Sequence, residues 1–455
     1  MSQQLCRADL EPAERPGLTR GGHLPSPEAV NSLQLARRRF IRNLSFICDF
    51  DKGGETCTAI GLENDSDCYR FWVAANTNVE HKTVPFLKIV LERLSASDPR
   101  EQESKEEALT RFTIQFASKR IVGEVNLLLK AIADCRDRIN QQRSERGTGS
   151  PRFTIVNKSS GYTRFKSPLR AIGSAFTEVY HYIGRLARHI RVIKELVNDA
   201  HLLDPLFSSY EVCPVPGFEC VPKPEPDLDT TLDGILNRML SNNPKKQEYE
   251  KLLSQLDQNH KIMAQIMNCY NNENFEPKVH AEIQVLTHFD NKGISYVNND
   301  RYIGCSKPAC FCCYLYIRHH PARMVVPESH QKIWLNWGPP KLQYGSKDLG
   351  FVQQRNVLNK VIQNIREGVI DEIEQKGSSG KWHPDSQTGI TDSIGTNDSF
   401  ENWTDSDFSD FDVLENELLE TPGSSPPPTS QSYVGTSTEE EDSDTDSEGG
   451  VLLTS

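Results

Sequence analysis

The stretch KVHAEIQVLTHF at residues 278–289 and the stretch PACFCCYLYIR at residues 308–318 decide the fold that this sequence predicts. In the first stretch, Ile283 and Leu286 repeat at a helical spacing, and the second has the length and apolar content of another helix. Residues 301–305, between the two, predict a short strand. A helix, a strand and a second helix therefore follow one another in this part of the chain.

Three soft metal donors fall in these two predicted helices. Cys310 and Cys313 are three residues apart and lie on one helical face, whereas Cys312 is about 200° around from Cys310 and points elsewhere. Together with His280 they form a set of three ligands that leaves one position open for water, as zinc requires in hydrolytic sites. The sequence therefore predicts a Zn²⁺ site.

A carboxylate stands beside this predicted site. Glu282 is two residues from His280, so the two side chains converge only if His280 lies at the very start of its helix, which Pro277 favours. A carboxylate in that place can accept a proton from a water that zinc has acidified and return it to a leaving group. Glu282 is therefore the predicted proton shuttle.

The stretch at residues 279–340 resembles the zinc-dependent nucleic acid and nucleotide deaminase superfamily. The motifs that carry the resemblance are His280-Ala281-Glu282 and the stretches 304–307, 310–313 and 329–334. The stretch is most similar to the branch shared by uncharacterised fungal proteins and rickettsial toxin-like deaminases. The resemblance implies zinc binding by His280, Cys310 and Cys313. It also implies deamination of a nucleobase, with zinc-bound water as the nucleophile and Glu282 as the catalytic residue.

The resemblance further implies residues around the substrate. Lys307, His330 and Trp337 are expected at the rim of the pocket. A packed histidine and a tryptophan that anchors a turn are the alternatives for the last two. In a core that is split as described below, Asn76, directly after the second predicted strand, is expected near the pocket, where it can contact substrate.

The sequence alone does not decide which cysteines are the sulfur ligands. The family signature places Pro directly before the first cysteine, whereas here Ala309 stands between Pro308 and Cys310. Cys305 is therefore a third cysteine that competes with Cys310 and Cys313 as a sulfur ligand.

The superfamily core opens with a helix and two strands, which this sequence predicts far upstream, at residues 31–46, 56–62 and 69–75. We therefore expect an α/β, three-layer deaminase-like fold with a central mixed sheet and flanking helices, split by a large, mostly helical insertion. The split requires the strands at 56–62 and 301–305 to share one sheet. The predicted units are a disordered leader at 1–28, the first part of the core at 29–79, the helical insertion at 80–272, the zinc-binding part at 273–376 and a disordered acidic tail at 377–455.

Several smaller predictions concern the insertion and the end of the core. Helical periodicity predicts single helices at 105–140 and 247–270, and a final long helix at 347–376. The Pro-rich stretch 205–226 predicts no core element. A short apolar run at 324–326 predicts a further strand.

Charge is unevenly distributed along the chain. All 51 Lys and Arg and 45 of the 63 Asp and Glu lie at or before Lys381, so this part carries a net charge of +6, whereas the residues after it hold the other 18 acidic side chains. Aromatic residues alternate with acids at 400–419, which predicts a segment that binds a protein partner. The alternative is that the tail covers a basic groove as a mimic of a polyanion, an interaction that salt weakens.

One predicted helix, at 167–201, carries a basic face that is suited to the phosphates of a nucleotide or a single-stranded nucleic acid. A solvated surface is the alternative. The basic residues are Arg185, Arg188, His189, Arg191 and Lys194.

The sequence has no apolar run of signal-peptide kind and no stretch of the roughly 20 apolar residues that span a bilayer. We therefore expect an intracellular protein, cytoplasmic or nuclear, without membrane contact. In that setting the 12 cysteines are expected to be free thiols and metal ligands rather than disulfides.

Two functions are compatible with these patterns. The first is a zinc-dependent hydrolytic deaminase, an enzyme that acts on the exocyclic amine of a base in a nucleotide or nucleic acid. The second is a non-catalytic, zinc-stabilised module that mediates protein interactions. The Glu282→Gln variant separates them, because only the enzyme would lose ammonia release.

Overall fold

The computed structural model describes residues 31–65, 68–77, 79–95, 102–145, 168–273, 275–375 and 450–452. The predicted leader and nearly all of the predicted acidic tail lie outside these residues. The helices are α1 Ser32–Cys48, α2 Thr83–Ser95, α3 Gln102–Phe116, α4 Ser118–Glu145, α5 Pro168–Leu202, α6 Leu232–Met239, α7 Lys246–His260, α8 Ile262–Asn271, α9 Ala281–Lys292, α10 Phe311–His319 and α11 Phe351–Gln375. None of the helices in this part of the chain has both the length and the apolar composition needed to cross a bilayer.

Six short strands accompany these helices within the described residues. Their bounds are β1 Thr58–Asp65, β2 Cys68–Ala75, β3 Tyr210–Pro214, β4 Ile303–Cys305, β5 Lys332–Trp334 and β6 Gly450–Leu452. Four of them form one mixed sheet in the order β3-β2-β1-β4, and β5 pairs with β6 in a separate antiparallel ladder. The Gly450–Leu452 strand is thus the one piece of the acidic tail that the structure describes.

The central sheet joins the two halves of the predicted core. β1 pairs antiparallel with β2 along its whole length and antiparallel with β4 through Ala59 and Cys305. The strand near the start of the chain and the strand just before the cysteine helix therefore lie side by side. This meets the condition that a split core imposes.

Helices cover both faces of the sheet. Side chains alternate along a strand, so Ile60 and Phe71 enter one core, together with residues of α1, α2 and α5. Ala59 and Ala74 point to the other face, into a second core with residues of α9, α10 and α11. A mixed sheet with flanking helices is therefore confirmed, and helices of the insertion belong to one of its two helical layers.

The Pro-rich stretch was expected to contribute no core element, and this is wrong. Within it, β3 pairs parallel with β2, from Tyr210 opposite Tyr69 to Pro214 opposite Val73. Pro214 sits at the end of this edge strand, where its missing N–H costs no ladder bond. Local composition hides such a strand because its pairing partner lies far away in sequence.

Three smaller predictions also need correction. The helix expected at 105–140 is interrupted at Ala117, and the one expected at 247–270 is interrupted at Lys261, whose φ of 52° is left-handed. No strand forms at 324–326, where Val325 donates one backbone hydrogen bond to Arg301. Helical periodicity continues through such breaks, and so it does not reveal them.

Two glycines allow helices to approach the sheet closely. A Cβ on Gly61 of β1 would lie 2.7 Å from Cγ1 of Val285 in α9. A Cβ on Gly304 of β4 would lie 2.8 Å from the backbone N of Arg42 in α1. Helices α9 and α1 can therefore press directly on strands β1 and β4, from opposite sides.

Much of the basic face predicted on α5 lies inside the protein. Arg185 and His189 bond to the buried carboxylate of Glu124 on α4, at 2.9 and 3.3 Å. Arg188 is only 8% exposed and stacks over the ring of Phe46. Only part of this face is therefore available to a ligand in solution.

Candidate metal centre

His280, Cys310 and Cys313 converge at the N-terminal ends of α9 and α10. Nδ1 of His280 lies 3.6 Å from Sγ of Cys310 and 3.4 Å from Sγ of Cys313. A tetrahedral zinc, with bonds of about 2.3 Å to sulfur and 2.0 Å to nitrogen, places sulfur and nitrogen about 3.5 Å apart. The three donors therefore have the spacing that a tetrahedral metal ion needs.

The donor set also determines which metals fit. Thiolates and imidazole favour zinc over the oxygen-seeking Mg²⁺ and Ca²⁺. Among the described residues, the donor atoms of His280, Cys310 and Cys313 form a group that could hold a metal ion, while Cys305 and Cys312 are not part of it. This geometry favours Cys310 and Cys313 in the ligand register that the displaced proline left open.

His280 occupies the N-cap of α9, with an extended backbone at φ −67° and ψ 153°. This confirms its predicted place at the start of the helix. Its side chain makes no capping bond. Instead, Oδ1 of Asn76 accepts the hydrogen bond of Ala281 N–H at 2.8 Å, which satisfies one of the free donors at the helix start. The imidazole is thereby left to bind a metal.

Cys310 occupies the N-cap of α10, and its Sγ accepts a hydrogen bond from the backbone N–H of Cys313 at 3.4 Å. Partial positive charge at a helix N-terminus stabilises a thiolate at this position. The loop before it is held in place because Ala309 exchanges backbone bonds with Glu328 and His330. A cap that is also a ligand explains why the helix begins at Phe311.

The three donors strongly perturb one another. Burial alone raises the pKa of Cys310, but the hydrogen bond from Cys313 and the charge of His280 outweigh it and lower that pKa to about 6. Burial lowers the pKa of His280, yet the Cys310 thiolate outweighs this and raises it. Burial, followed by the hydrogen bond and charge of Cys310, raises the pKa of Cys313. The proton affinities of the three donors are thus coupled, because their donor atoms all lie within 4.8 Å of one another.

Glu282 lies in the first turn of α9, only 5% exposed, on the same side as the sulfurs. Its charge and a side-chain hydrogen bond contribute to the raised pKa of Cys313. It also raises the pKa of His280. Its charge also opposes the lowering of the pKa of Cys310, so this carboxylate acts on all three donors without being part of their group.

Trp337 contacts one of the three donors of the candidate metal centre directly. Its indole Nε1–H donates to Sγ of Cys313 at 3.1 Å. The segment around it is fixed because Lys278 N–H donates to Asn336 and Gly338 N–H donates to Lys278. The side chain expected at a pocket rim is therefore a hydrogen-bond donor to a metal ligand.

The other residues expected around the substrate have partners inside the protein. Asn76 uses both ends of its amide, donating to Gly54 O at 2.8 Å and accepting from Ala281. Lys307 bonds to Gly53 O and pairs with the buried Asp49. His330 is buried and accepts a hydrogen bond from the indole of Trp334 at 3.4 Å. Contact of these residues with substrate stays a prediction.

The family of this segment follows from a comparison with known families. Residues 279–341 match the model of the OTT_1508-like deaminase family. This part of the chain is a deaminase-superfamily segment. It contains His280, Glu282, Cys310 and Cys313, so the metal-binding group lies entirely within it. No curated protein and no solved structure gives a significant match to the chain.

Sequence reasoning missed two neighbours of this deaminase segment. Cys57, which precedes β1, is close enough to Glu282 for that carboxylate to help burial raise its pKa, to about 12. Cys220, from the Pro-rich stretch, touches the segment through a bridge to Pro340. No local pattern marks either residue, because both reach the site through distant strand and loop pairing.

Proposed function

We propose that this protein is a zinc-dependent hydrolytic deaminase with a deaminase-like fold that acts on a nucleobase in a nucleotide or nucleic acid. The observation that carries the proposal is the convergence of His280, Cys310 and Cys313 beside a buried Glu282. All four residues lie in the segment that matches the deaminase family model. A structural zinc site usually has four protein ligands, whereas this group supplies three and leaves a position for water.

The chemistry follows from the place of each group. When bound, zinc lowers the pKa of water and polarises it for attack. Oxygen adds to the ring carbon that bears the exocyclic amine, the C–N bond breaks, and ammonia leaves. Glu282 takes the proton from the attacking water and delivers it to the departing nitrogen. The thiolate of Cys310 and its helix N-terminus keep the donor set charged for the metal.

The decisive experiment uses the Glu282→Gln variant. Glutamine keeps the size of the side chain and cannot carry a proton, so ammonia release should fall by at least about 100-fold while bound zinc is unchanged. Ammonia is measured with nucleosides, nucleotides and single-stranded oligonucleotides as substrates. Glu63→Gln is the matched control, because Glu63 is a largely buried glutamate that accepts a hydrogen bond from Trp72 outside the centre.

Zinc stoichiometry tests the ligand set separately. Cys310→Ala should remove bound zinc, whereas Cys312→Ala, at a buried thiol two residues further on, should retain one zinc per chain. If wild type binds zinc but releases no ammonia from any of these substrates, the non-catalytic module that mediates protein interactions replaces this proposal. Loss of zinc in Cys312→Ala alone would contradict the ligand assignment.

A further inference from the structure

A cavity of about 340 Å³ lies beside the first turn of α9. This volume is in the range of small-molecule binding sites, which begins near 300 Å³. Three parts of the chain form its wall: the end of β2 with the residues after it, the loop after β3, and the segment that leads into α9. One wall therefore belongs to the insertion and another to the deaminase segment.

Gln284 lines this cavity and carries an acceptor without a hydrogen-bond partner in the described part of the chain. Gln284 is only 8% exposed, and its Nε2 donates to Ala75 O at 3.0 Å and to Val279 O at 2.7 Å. Those two bonds fix the amide, so that Oε1 is left without a hydrogen-bond partner. This oxygen is not among the fully buried polar atoms that lack a partner, so water has access to it, and a ligand that displaces that water has to donate a hydrogen bond in its place. The cavity is thus prepared for a group that carries an N–H or NH₂ donor.

An aromatic side chain also lines the cavity. Phe218, in the loop after β3, is half-buried against the second core and lines the cavity together with Val215 and Val279. Small-molecule sites combine apolar and aromatic walls with a few fixed polar groups. Here the polar residues are Asn76, Thr77, Glu80, Lys278 and Gln284, and Lys278 pairs with Glu55 at 2.7 Å. Charges of both signs therefore lie around the cavity.

The cavity is separate from the reaction centre. Gln284 and Glu282 are two residues apart on α9, and so they point about 200° away from each other. Neither Glu282 nor any of the three metal ligands lines the cavity. Nevertheless Asn76, which bonds to Ala281 in the first turn of α9, does line it. A ligand here is a neighbour of the centre and not the reacting group.

We propose that this cavity binds a planar nitrogen heterocycle of nucleobase size, stacked on Phe218 and donating an N–H to Oε1 of Gln284. Two sources share this chemistry: a free nucleoside, or the base next to the reacting one in a single strand. The binding itself is independent of turnover at Glu282. The second source deepens the proposed function by making the substrate a polymer, and in that respect it rests on that function.

Equilibrium binding to the zinc-loaded Glu282→Gln protein tests the proposal without turnover. Adenosine, cytidine and a 12-nucleotide single strand are the probes. Phe218→Leu keeps an apolar side chain but removes the stacking face, and binding of adenosine or cytidine should weaken by about 10-fold. Phe351→Leu is the matched control, since Phe351 is also half-buried but lies outside the cavity, and it should leave binding unchanged.

A change of the nucleoside, rather than of the protein, tests the proposed hydrogen bond to Oε1 of Gln284. Purine riboside differs from adenosine by the absence of the amine, so it leaves Oε1 of Gln284 unpaired and should bind about 10-fold more weakly. If adenosine and purine riboside bind equally well to Phe218→Leu, the stacking contact with Phe218 and the hydrogen bond to Gln284 belong to one site. If the single strand binds at least about 10-fold more tightly than the nucleosides and Phe218→Leu abolishes this gain, the occupant is a flanking base. If it shows no gain, the occupant is a free nucleoside.

Three results distinguish failure of this inference from failure of the proposed function. Binding that depends neither on Phe218 nor on the amine overturns the inference, even if wild type releases ammonia. Binding that depends on both, in a wild type that releases none, overturns the proposed function alone. Absence of any nucleoside or oligonucleotide binding overturns the inference.

Discussion

The indole of Trp337 acts on the candidate metal centre through one of its three donors, because it donates to Sγ of Cys313 at 3.1 Å. An N–H bond to a coordinating thiolate withdraws charge from the sulfur and fixes its direction. Asn76 acts in a comparable way at His280, since it caps α9 and leaves the imidazole free. At the scale of single residues, hydrogen bonds thus fix the positions of the residues that surround the donors, Trp337 and Asn76, as well as those of the donors.

The Trp337→Phe variant tests this role. Phenylalanine keeps the aromatic packing and removes the N–H, so metal affinity should fall by about 10- to 100-fold. In cobalt-substituted protein, the thiolate-to-metal charge-transfer band should shift. Trp334→Phe is the matched control, because that indole donates to His330 and not to a ligand. Equal effects of the two variants on affinity and spectrum would contradict the role assigned to Trp337.

Elements of the two halves are joined by close packing and by buried charge. Gly304 of β4 sits so near to α1 that backbone atoms of Ile41 and Arg42 occupy the place of a side chain. Glu124 of α4 holds Arg120 and Arg185 together, and Arg120 in turn reaches the backbone of Asp49. The helices of the insertion are therefore integral to the layer that supports the sheet.

Gly304→Ala should destabilise the protein by about 1–3 kcal/mol or more, because the new methyl group meets backbone that cannot move aside cheaply. The free energy of unfolding in urea measures this. Gly217→Ala is the control, since a Cβ there has no atom within 4 Å. Equal stability of the two variants would show that β4 can shift away from α1 without cost.

Glu124→Gln should destabilise the protein by about 3–5 kcal/mol at pH 7, because the buried Arg120 and the partly buried Arg185 lose their shared carboxylate. Burial alone raises the pKa of Glu124, but its bond to His189 and the charges of Arg120 and Arg185 outweigh this and hold the pKa well below its usual range. A lowered pKa stabilises the folded state above the ordinary value of about 4.3, and this gain is lost as the pH falls below it.

The difference in unfolding free energy between wild type and Glu124→Gln should therefore shrink between pH 7 and pH 3.5. Glu107→Gln is the control, because Glu107 forms an exposed pair with Arg111 and should change stability by about 0–1 kcal/mol. A difference that stays constant with pH would contradict the assigned charge state.

At the scale of the whole molecule, the acidic side chains after Lys381 set the sign of the net charge. The chain carries −12 in total, whereas its part up to Lys381 carries +6. We propose that the tail weakens the binding of polyanions through this charge, or covers a basic surface as their mimic. Either effect is electrostatic and declines as salt rises.

Removal of the residues after Lys381 should strengthen binding of a single-stranded oligonucleotide by about 10-fold at low salt, with the gain disappearing near 0.5 M salt. Filter binding or fluorescence anisotropy measures this. The control is a full-length chain in which the Asp and Glu of the tail become Asn and Gln, which keeps the β6 strand and should behave like the truncation. If neither change alters affinity, the tail has no electrostatic role, and its proposed use as a protein-binding segment remains.

The sequence by itself determined what depends on neighbours along the chain. Cys310 and Cys313 share a helical face because of their spacing, and His280 had to begin its helix for Glu282 to approach it. The order of the strands allowed a split core to be stated and tested, and β1 does pair with β4. Periodicity and spacing are local properties, so they survive without any knowledge of the fold.

Only the tertiary structure decided what depends on distant pairing. The cap from Asn76 to Ala281 spans 205 residues, β3 finds its partner through an edge of the sheet, and Trp337 meets Cys313 through a loop held by Lys278. The free acceptor of Gln284 is visible only because its two donor bonds are seen to be used. Such contacts depend on which surfaces pack together. No local sequence pattern marks the residues that make them.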